Sequence, residues 1–194
     1  MSAGTRIPAK DALIALHGVR GPRDVVITTM SPARDWMTLT PHSLDIVFVP
    51  SAMGHATSVG LGIALAQPDR RVVVCNGDGS MLMNLGSLVS ITGAGATNLV
   101  VLLFDNGVYE VTGSQPTPGR GRIDYSAIAR GAGFSSVFEF SDLDAWQANV
   151  ATVLAAPGPV FATLRVIAEF GIPGPRSPGP AGERGQAFIQ ALSS

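Results

Sequence analysis

The sequence RVVVCNGDGS, residues 71–80, combines an apolar run with a turn of small residues and one acid. Four apolar residues in succession, 72–75, are typical of a strand that is covered on both faces of a sheet. The turn that follows offers backbone N–H groups to a phosphate, and Asp78 offers a carboxylate to Mg²⁺. This stretch predicts a βα unit with a phosphate site at the end of its strand.

A second apolar run, NLVVLLF at 98–104, leads into the sequence DNGV at 105–108. Ligands of open α/β sheets bind at the carboxyl ends of the strands, so Asp78 and Asn106 are expected at one edge. Both offer hard oxygens to a Mg²⁺ that bridges a diphosphate. We therefore predict a metal–diphosphate site. The alternative is that Asp78 only caps the helix of an ordinary βα turn.

Continuous apolar runs recur along the chain with helical segments between them, which indicates a doubly wound, mostly parallel α/β sheet with helices on both faces. We read residues 1–194 as one domain, with a Pro/Gly-rich segment at 171–185 before a short C-terminal helix at 184–192. The predicted strands are 25–29, 45–49, 72–76, 99–104, 136–140 and 160–166, and the other predicted helices are 9–17, 54–66, 81–92, 125–131 and 142–155.

Composition excludes several classes of protein. The 194-residue chain is 46% hydrophobic with a formal net charge of −1, which argues against a nucleic-acid partner. Its apolar stretches are shorter than the roughly 20 residues of a membrane span, and residues 1–10 lack the apolar centre of a signal peptide. We expect no membrane association and a cytoplasmic location. The single cysteine, Cys75, lies in a predicted strand and is expected to be a buried core residue.

The strand, the GDGS turn, the second strand and the Asn-Gly pair together resemble the diphosphate-binding domain of thiamine-diphosphate enzymes. The signature of that family is Gly-Asp-Gly followed after a few tens of residues by Asn. The resemblance implies that the chain binds thiamine diphosphate and Mg²⁺. It places Asp78, Asn106 and the main-chain carbonyl of Val108 at the metal, and Gly77, Gly79 and Ser80 at the diphosphate.

The sequence PSAMGHA at 50–56 supplies a further part of the cofactor pocket in this family. The resemblance makes Met53 the apolar wedge that bends the cofactor. Gly54 stands where the backbone must pass close to the ligand. The carbonyl of Ser51 would accept a hydrogen bond from the cofactor amino group. Met53 could instead be core filler, and His55 could either face the substrate or satisfy only local backbone groups.

The sequence VYEVTGSQPT at 108–117 reads as a loop above the reactive carbon. Tyr109 is assigned to the cofactor pocket, and Glu110 is either a general acid–base group or a solvated carboxylate. Together with residues 51–56, this loop most resembles the sulfopyruvate and phosphonopyruvate decarboxylases, in particular the small subunit of the two-chain sulfopyruvate enzyme. The likeness runs over residues 6–192.

The resemblance implies decarboxylation of a small anionic 2-oxo acid such as sulfopyruvate or phosphonopyruvate. Arg34, Arg120 and Arg122 could bind the anionic group or simply face solvent. One alternative is a subunit of a thiamine-diphosphate-dependent carboligase of the acyloin or acetolactate type. Another is a non-catalytic nucleotide-binding module, although the chain lacks GxxxxGK[ST] and does not continue Gly77-Asp78-Gly79 as GxGxxG.

In this family a Glu from a separate pyrimidine-binding domain activates the cofactor. A chain of 194 residues has no room for a second α/β domain, and its Glu residues after the diphosphate motif lack a matching context. We therefore expect a partner subunit that supplies the pyrimidine-binding domain and its Glu. The expected assembly is a hetero-oligomer such as α2β2 or larger, and this chain would be active only within it.

Overall fold

The fold is built on one parallel sheet. The computed structural model describes residues 6–49 and 53–193. Neighbouring strands are all parallel and follow the order β2-β1-β3-β4-β8-β7. The strands of this sheet are β1 Val25–Thr29, β2 Asp45–Phe48, β3 Val72–Gly77, β4 Leu99–Asp105, β7 Ser136–Phe140 and β8 Val160–Arg165, while β5 Val108–Tyr109 and β6 Gln115–Pro116 form a separate antiparallel hairpin.

Helices cover both faces of this sheet, because successive strand residues point to opposite sides and both sides are apolar. Val73 and Cys75 belong to the core on the face covered by α1 and α7, whereas Val72 and Val74 belong to the core on the face covered by α3, α5 and α6. This confirms the predicted doubly wound α/β fold. The helices are α1 Ala9–Val19, α2 Met30–Trp36, α3 Ala56–Ala66, α4 Asp78–Leu82, α5 Gly86–Gly93, α6 Tyr125–Gly131, α7 Leu143–Ala155 and α8 Ala181–Leu192.

The largest differences between the predicted and the observed helices concern residues 81–92 and residues 30–36. The helix predicted over 81–92 is two helices, α4 and α5, and the intervening Asn84 side chain donates to the Gly54 carbonyl at 3.0 Å. Helix α2 was not predicted from the sequence. It has seven residues and places Pro32 in its first turn, where a missing N–H removes no helical hydrogen bond.

The other differences concern the loop and the C-terminus. Residues 108–117, read as a loop, contain the hairpin β5–β6 around a 3-10 turn at Glu110–Thr112. Helix α8 begins at Ala181, three residues before the predicted start. Within residues 6–49 and 53–193, every helix is too short or too polar to cross a membrane.

Helix α8 lies against the edge strand β2. The Arg184 guanidinium donates to the carbonyl oxygens of Val47 at 2.7 Å and Val49 at 2.6 Å. These carbonyls are two residues apart, so they point to the same side of the strand. The side chain of Arg184 therefore takes hydrogen-bonding positions along the outer edge of the sheet.

The strand order creates a crevice at one edge of the sheet. The chain passes from β1 outward to β2 on one side, and from β3 outward to β4 on the other. The order therefore reverses between β1 and β3, and ligands of open α/β folds bind outside the carboxyl ends of such strands. Thr29 ends β1 and Gly77 ends β3, so both strands deliver their next residues to this crevice.

Candidate active site

A cleft opens at this edge between the ends of the strands and the hairpin β5–β6. Of the predicted site residues, it is lined by Met53, Gly77, Asp78, Gly79, Ser80, Asn106, Val108, Tyr109 and Glu110. Sequence positions from three different βα turns are thus brought together. The lining also includes residues that sequence reasoning missed, among them Met30, Ser31, Pro32, Phe104 and Val166.

Asp78 is the acidic group at the base of the cleft. Asp78 is 2% exposed, and its Oδ2 accepts a hydrogen bond from the Thr117 hydroxyl at 3.0 Å. Burial and the nearby charge of Asp105 raise the pKa of Asp78 to about 6, against the opposing effect of the Thr117 hydrogen bond. With that pKa the carboxylate is the major form at neutral pH, as a metal ligand requires.

Asn106 and Val108 form a closed turn after β4. The Asn106 Oδ1 accepts from the Val108 N–H at 2.9 Å, and its Nδ2 donates to Glu110 Oε2 at 2.5 Å. Asn106 is 7% exposed. The two predicted metal ligands of this segment therefore line the same cleft as Asp78. The described part of the chain has no cluster of three or more His, Cys, Asp or Glu side chains suited to a metal, and the predicted set needs only one acid.

Glu110 is a buried carboxylate. Its side chain is 4% exposed, and its Oε1 accepts from Arg34 at 3.1 Å while its Oε2 accepts from Asn106. Arg34 also contacts Asp35 at 2.9 Å and Glu169 at 2.6 Å. The alternative of a solvated carboxylate does not fit this environment, and Arg34 already faces three carboxylates.

Two of the predicted cofactor-binding glycines, Gly79 and Gly54, have close neighbours, but only Gly79 lines the cleft. A Cβ atom on Gly79 would lie 2.6 Å from two ring carbons of Tyr109. The Gly54 N–H donates to the Ser80 hydroxyl at 2.9 Å, which joins the segment before α3 to the GDGS turn. Gly54 has a φ of +81°, a conformation that favours glycine.

Some predicted residues are not brought to the cleft. His55 is exposed and lies outside the cleft lining, at the residue before α3. Arg120 and Arg122 are exposed on the segment after β6. Ser51 lies outside the described residues, so its predicted contact with the cofactor stays a prediction.

The turn after β1 is the largest part of the cleft lining that sequence reasoning missed. Met30 has a φ of +58°, rare for a residue with a side chain, and it begins a helix whose first residues line the cleft. The available signal was the position of this turn at the end of an apolar strand. That signal becomes informative only once the strand order places β1 beside β3.

The residues present fit a diphosphate held through a metal ion. Hard-oxygen donors converge, and the backbone at Gly79 carries no side chain. Buried polar atoms without a hydrogen-bond partner lie at the ends of β1 and β3: the hydroxyls of Thr28 and Thr29 and the amide of Asn76. Buried polar atoms of this kind normally form hydrogen bonds to water or to a ligand. Helix α4 has only five residues, so backbone N–H groups rather than a long helix dipole face this site.

The sequence model of one protein family matches the part of the chain that forms this sheet and cleft. The family is described as "Thiamine pyrophosphate enzyme, C-terminal TPP binding domain", and the match covers residues 27–163. The chain belongs to this family. The match includes β3, the end of β1 from residue 27 onward and all the described cleft residues from Met30 to Thr112.

Relatives of this TPP binding domain include decarboxylases. The chain is 42% identical to phosphonopyruvate decarboxylase of Streptomyces viridochromogenes, over 84% of this chain and 40% of that protein. It is 40% identical to sulfopyruvate decarboxylase subunit beta of Methanothermobacter thermautotrophicus, over 80% of each protein. The chain thus spans about two fifths of the phosphonopyruvate decarboxylases it matches, and most of the subunit beta.

Solved structures agree on the fold. A putative thiamin diphosphate-dependent enzyme from Mycobacterium smegmatis superimposes with a TM-score of 0.72 at 22% identity. The superposition covers 86% of this chain and 33% of that one. The TPP binding domain therefore has the architecture of this enzyme family.

Proposed function

We propose that this chain is the diphosphate-binding subunit of a two-chain 2-oxo acid decarboxylase that uses thiamine diphosphate and Mg²⁺. The observation that carries the proposal is the convergence of Asp78, Asn106 and Val108 on one cleft of a TPP binding domain. The similarity to phosphonopyruvate decarboxylase and to sulfopyruvate decarboxylase subunit beta supports the reaction class.

In the proposed site, Mg²⁺ is held by the Asp78 carboxylate, the Asn106 side-chain oxygen and the Val108 main-chain oxygen. Oxygen donors of this kind match the preference of Mg²⁺, which is commonly held by a few protein groups together with substrate phosphates. The backbone of Gly77, Gly79 and Ser80 would face the diphosphate, and the Thr117 hydroxyl holds the Asp78 carboxylate in place. These residues would hold the metal and the diphosphate at the crevice between β1 and β3.

When bound, the cofactor takes up the electron pair that is released as a 2-oxo acid loses CO₂. The chain itself supplies position and shielding from water. Met53 lies at the cleft, where it can act as the proposed wedge, and the apolar side chains of Pro32, Phe104 and Val166 line the same cleft. Excluding water protects a reactive site from side reactions. Ser51 as an acceptor for the cofactor and His55 as a substrate-facing residue remain part of the proposal.

We propose a small anionic 2-oxo acid such as sulfopyruvate or phosphonopyruvate as substrate. Forked guanidinium donors suit sulfonate and phosphonate oxygens. Among the predicted arginines, Arg34 is engaged by three carboxylates, whereas Arg120 and Arg122 are exposed. The aliphatic part of Arg120 packs beside Gly107, one residue from Asn106, which makes Arg120 the better candidate for the substrate anion.

The proposed partner is supported by an uncharged face of the domain. Helices α3 and α5 contact each other through Thr57 and Ser87, whose hydroxyl oxygens are 2.8 Å apart. Neither residues 56–68 nor residues 79–104 contain an Asp, Glu, Lys or Arg. Exposed helix surfaces normally carry charged residues, so an uncharged face is typical of a surface that is buried in an assembly. Its large exposed apolar side chains are Leu65 at 53%, Met83 at 61% and Val89 at 62%.

This face begins beside the cleft, because Gly54 before α3 contacts Ser80 and Asn84. A subunit docked there would close the cofactor site from the other side. We propose that this partner carries the pyrimidine-binding domain and its activating Glu, in a hetero-oligomer such as α2β2 or larger. The similarity to a protein named subunit beta over 80% of its length supports a separate chain. A cytoplasmic location remains a prediction.

The test measures cofactor binding and CO₂ release with the chain alone and after assembly with a candidate partner. Sulfopyruvate, phosphonopyruvate and pyruvate are offered with thiamine diphosphate and Mg²⁺. Asp78→Asn and Asn106→Ala should abolish calorimetric cofactor binding by the assembly. The matched control is Asp142→Asn, at a residue that caps α7 by accepting from Ala145 N–H at 2.9 Å.

Four outcomes separate the alternatives. An aldehyde product from the assembly, with a silent lone chain, supports the proposal. A product that joins two substrate carbon skeletons would identify a carboligase. Unchanged cofactor binding by Asp78→Asn, or robust turnover by the lone chain, would refute the proposed site or the proposed partner respectively.

A further inference from the structure

A chain of polar contacts leads from helix α2 to the proposed metal ligand Asn106. Arg34 Nη1 donates to Glu110 Oε1 at 3.1 Å, and Asn106 Nδ2 donates to Glu110 Oε2 at 2.5 Å. We infer that Glu110 and Arg34 are positioning residues that fix the side-chain amide of Asn106 so that its oxygen serves the metal. This inference rests on the proposed function, because it gives these residues a task at the proposed Mg²⁺ site.

The amide of Asn106 has two chemically different ends, and only the oxygen can bind a cation. A carboxylate only accepts hydrogen bonds, so Glu110 can face only the Nδ2 end. The Val108 N–H only donates, so it can face only the Oδ1 end, which it contacts at 2.9 Å. The two contacts favour the same orientation. The carbonyl oxygen keeps a second lone pair for a metal ion.

Burial makes this orientation stable. Glu110 is 4% exposed in its side chain and Asn106 is 7% exposed, so water does not compete freely for either group. Without Glu110, the Nδ2 end would be a buried donor without a partner, and the amide would gain by turning or moving. The expected result is a cation site that loses one of its oxygen ligands for part of the time.

Arg34 orients Glu110 in turn. Its guanidinium also contacts Asp35 and Glu169, so it is held from three sides. Asp35 lies on α2, Glu110 follows β5, and Glu169 follows β8. The arginine thus connects the turn after β1 with the metal-ligand turn after β4, two segments 76 residues apart in sequence.

The same contacts argue against proton transfer as the main role of Glu110. A general acid or base must reach the proton that it moves, directly or through one water. Glu110 lines the cleft, but both of its oxygens already accept hydrogen bonds from protein donors. Its hydrogen bonds serve a neighbouring side chain, which is the work of a positioning residue.

The experiment measures the Mg²⁺ concentration needed for half-maximal binding of thiamine diphosphate to the assembled protein by calorimetry. Partners that orient metal ligands typically contribute about 10–100-fold to metal affinity. Glu110→Ala should raise the required Mg²⁺ concentration by about this factor. Glu110→Gln should raise it much less, because its side-chain oxygen can still accept from Asn106. Arg34→Leu should shift it in the same direction as Glu110→Ala.

Coupling and a matched control complete the design. In the double variant of Glu110→Ala and Arg34→Leu, the shift should be smaller than the product of the two single shifts, since both act through one amide. Glu169→Gln removes the most exposed of the three carboxylates that contact Arg34, at 54% exposure, and should change the Mg²⁺ requirement far less than Glu110→Ala. Thermal unfolding of each variant establishes that it is folded.

The outcomes distinguish this inference from the proposed function. If the unaltered protein shows no Mg²⁺-dependent binding of thiamine diphosphate, the proposed function fails and the inference fails with it. If the unaltered protein binds and Glu110→Ala needs no more Mg²⁺, only the inference fails. Equal loss of turnover in Glu110→Ala and Glu110→Gln at an unchanged Mg²⁺ requirement would assign Glu110 to proton transfer instead.

Discussion

The ring of Tyr109 lies so close to Gly79 that a Cβ atom there would come within 2.6 Å of two ring carbons. The GDGS turn and the hairpin β5–β6 therefore pack without a side chain between them. Tyr109 is held in turn by its hairpin, where it pairs with Gln115. The shape of the cleft on this side therefore depends on residue 79 being a glycine.

Gly79→Ala should consequently displace Tyr109 and weaken cofactor binding. We expect the dissociation constant of thiamine diphosphate to rise about tenfold or more, which corresponds to ~1.4 kcal/mol. Calorimetric titration of the assembled protein measures it. Gly185→Ala on α8 is the control, because a Cβ atom there meets nothing within 4 Å. An unchanged dissociation constant in Gly79→Ala would show that the ring moves away at no cost.

The packing of α3 on the sheet predicts that alanine substitutions at two glycines of this helix have different effects on stability. A Cβ atom on Gly60 would lie 2.4 Å from the Val74 side chain, whereas one on Gly62 meets nothing within 4 Å. Gly60→Ala should lower the free energy of unfolding by about 1–3 kcal/mol through overpacking. Gly62→Ala should leave it unchanged or raise it by up to about 1 kcal/mol, because alanine favours helix. Urea unfolding decides, and equal stability of the two variants would contradict the prediction.

The ion pair of Asp105 and Arg165 predicts that the free energy of unfolding depends strongly on both residues. These residues are register neighbours on β4 and β8, and the Asp105 side chain is 9% exposed. Arg165→Leu should destabilise the fold by about 3–5 kcal/mol, because it leaves a buried charge unpaired. The further substitution Asp105→Asn in this variant should restore much of the lost stability.

A control for this pair is available on the same arginine. Glu139 also contacts Arg165 but is 43% exposed, so Glu139→Gln should cost less than about 1 kcal/mol. Chemical denaturation measures all of these variants. A loss in Glu139→Gln as large as that in Arg165→Leu would show that burial of Asp105 is not the cause.

Cys75 should be chemically inert in the folded protein. Burial raises the pKa of its thiol, with a further contribution from the negative charge of Asp45, so the reactive thiolate is scarce. We expect a thiol reagent at pH 8 to label the native chain only at the rate at which it unfolds. The chain in guanidinium chloride should react at once. Rapid labelling of the native chain would mean that the strand β3 opens easily.

The sequence was most informative where local pattern alone determines structure. All six strands of the main sheet were predicted within two residues at either end, because each is a short, mostly apolar run between turn residues. The position of residues 77–80, 106 and 108–110 at the cleft could be predicted, because they lie at or just after the ends of two of these strands. Their meeting in one cleft agrees with the rule that parallel strands end at the same edge.

The sequence alone did not predict those parts of the structure that depend on contacts between residues far apart in the chain. Helix α2 buries a single large apolar side chain, Trp36, beside Ser31, Pro32, Ala33 and Asp35, so no periodic apolar pattern stands out. Arg34 meets Glu110 across 76 positions, and Asp105 meets Arg165 across 60. Such pairs follow from the strand order, which a single sequence does not reveal.

The contacts of Arg184 with β2 have a consequence for how copies of this chain behave together. An unpaired edge strand is a template on which a strand of another molecule can add, and this is a route to aggregation. The guanidinium of Arg184 occupies the two carbonyls that such a strand would need, at Val47 and Val49. Helix α8 has no fully buried residue, and its partly buried Phe188 and Leu192 pack against the core, so closing this edge to neighbouring molecules is a second contribution of the helix.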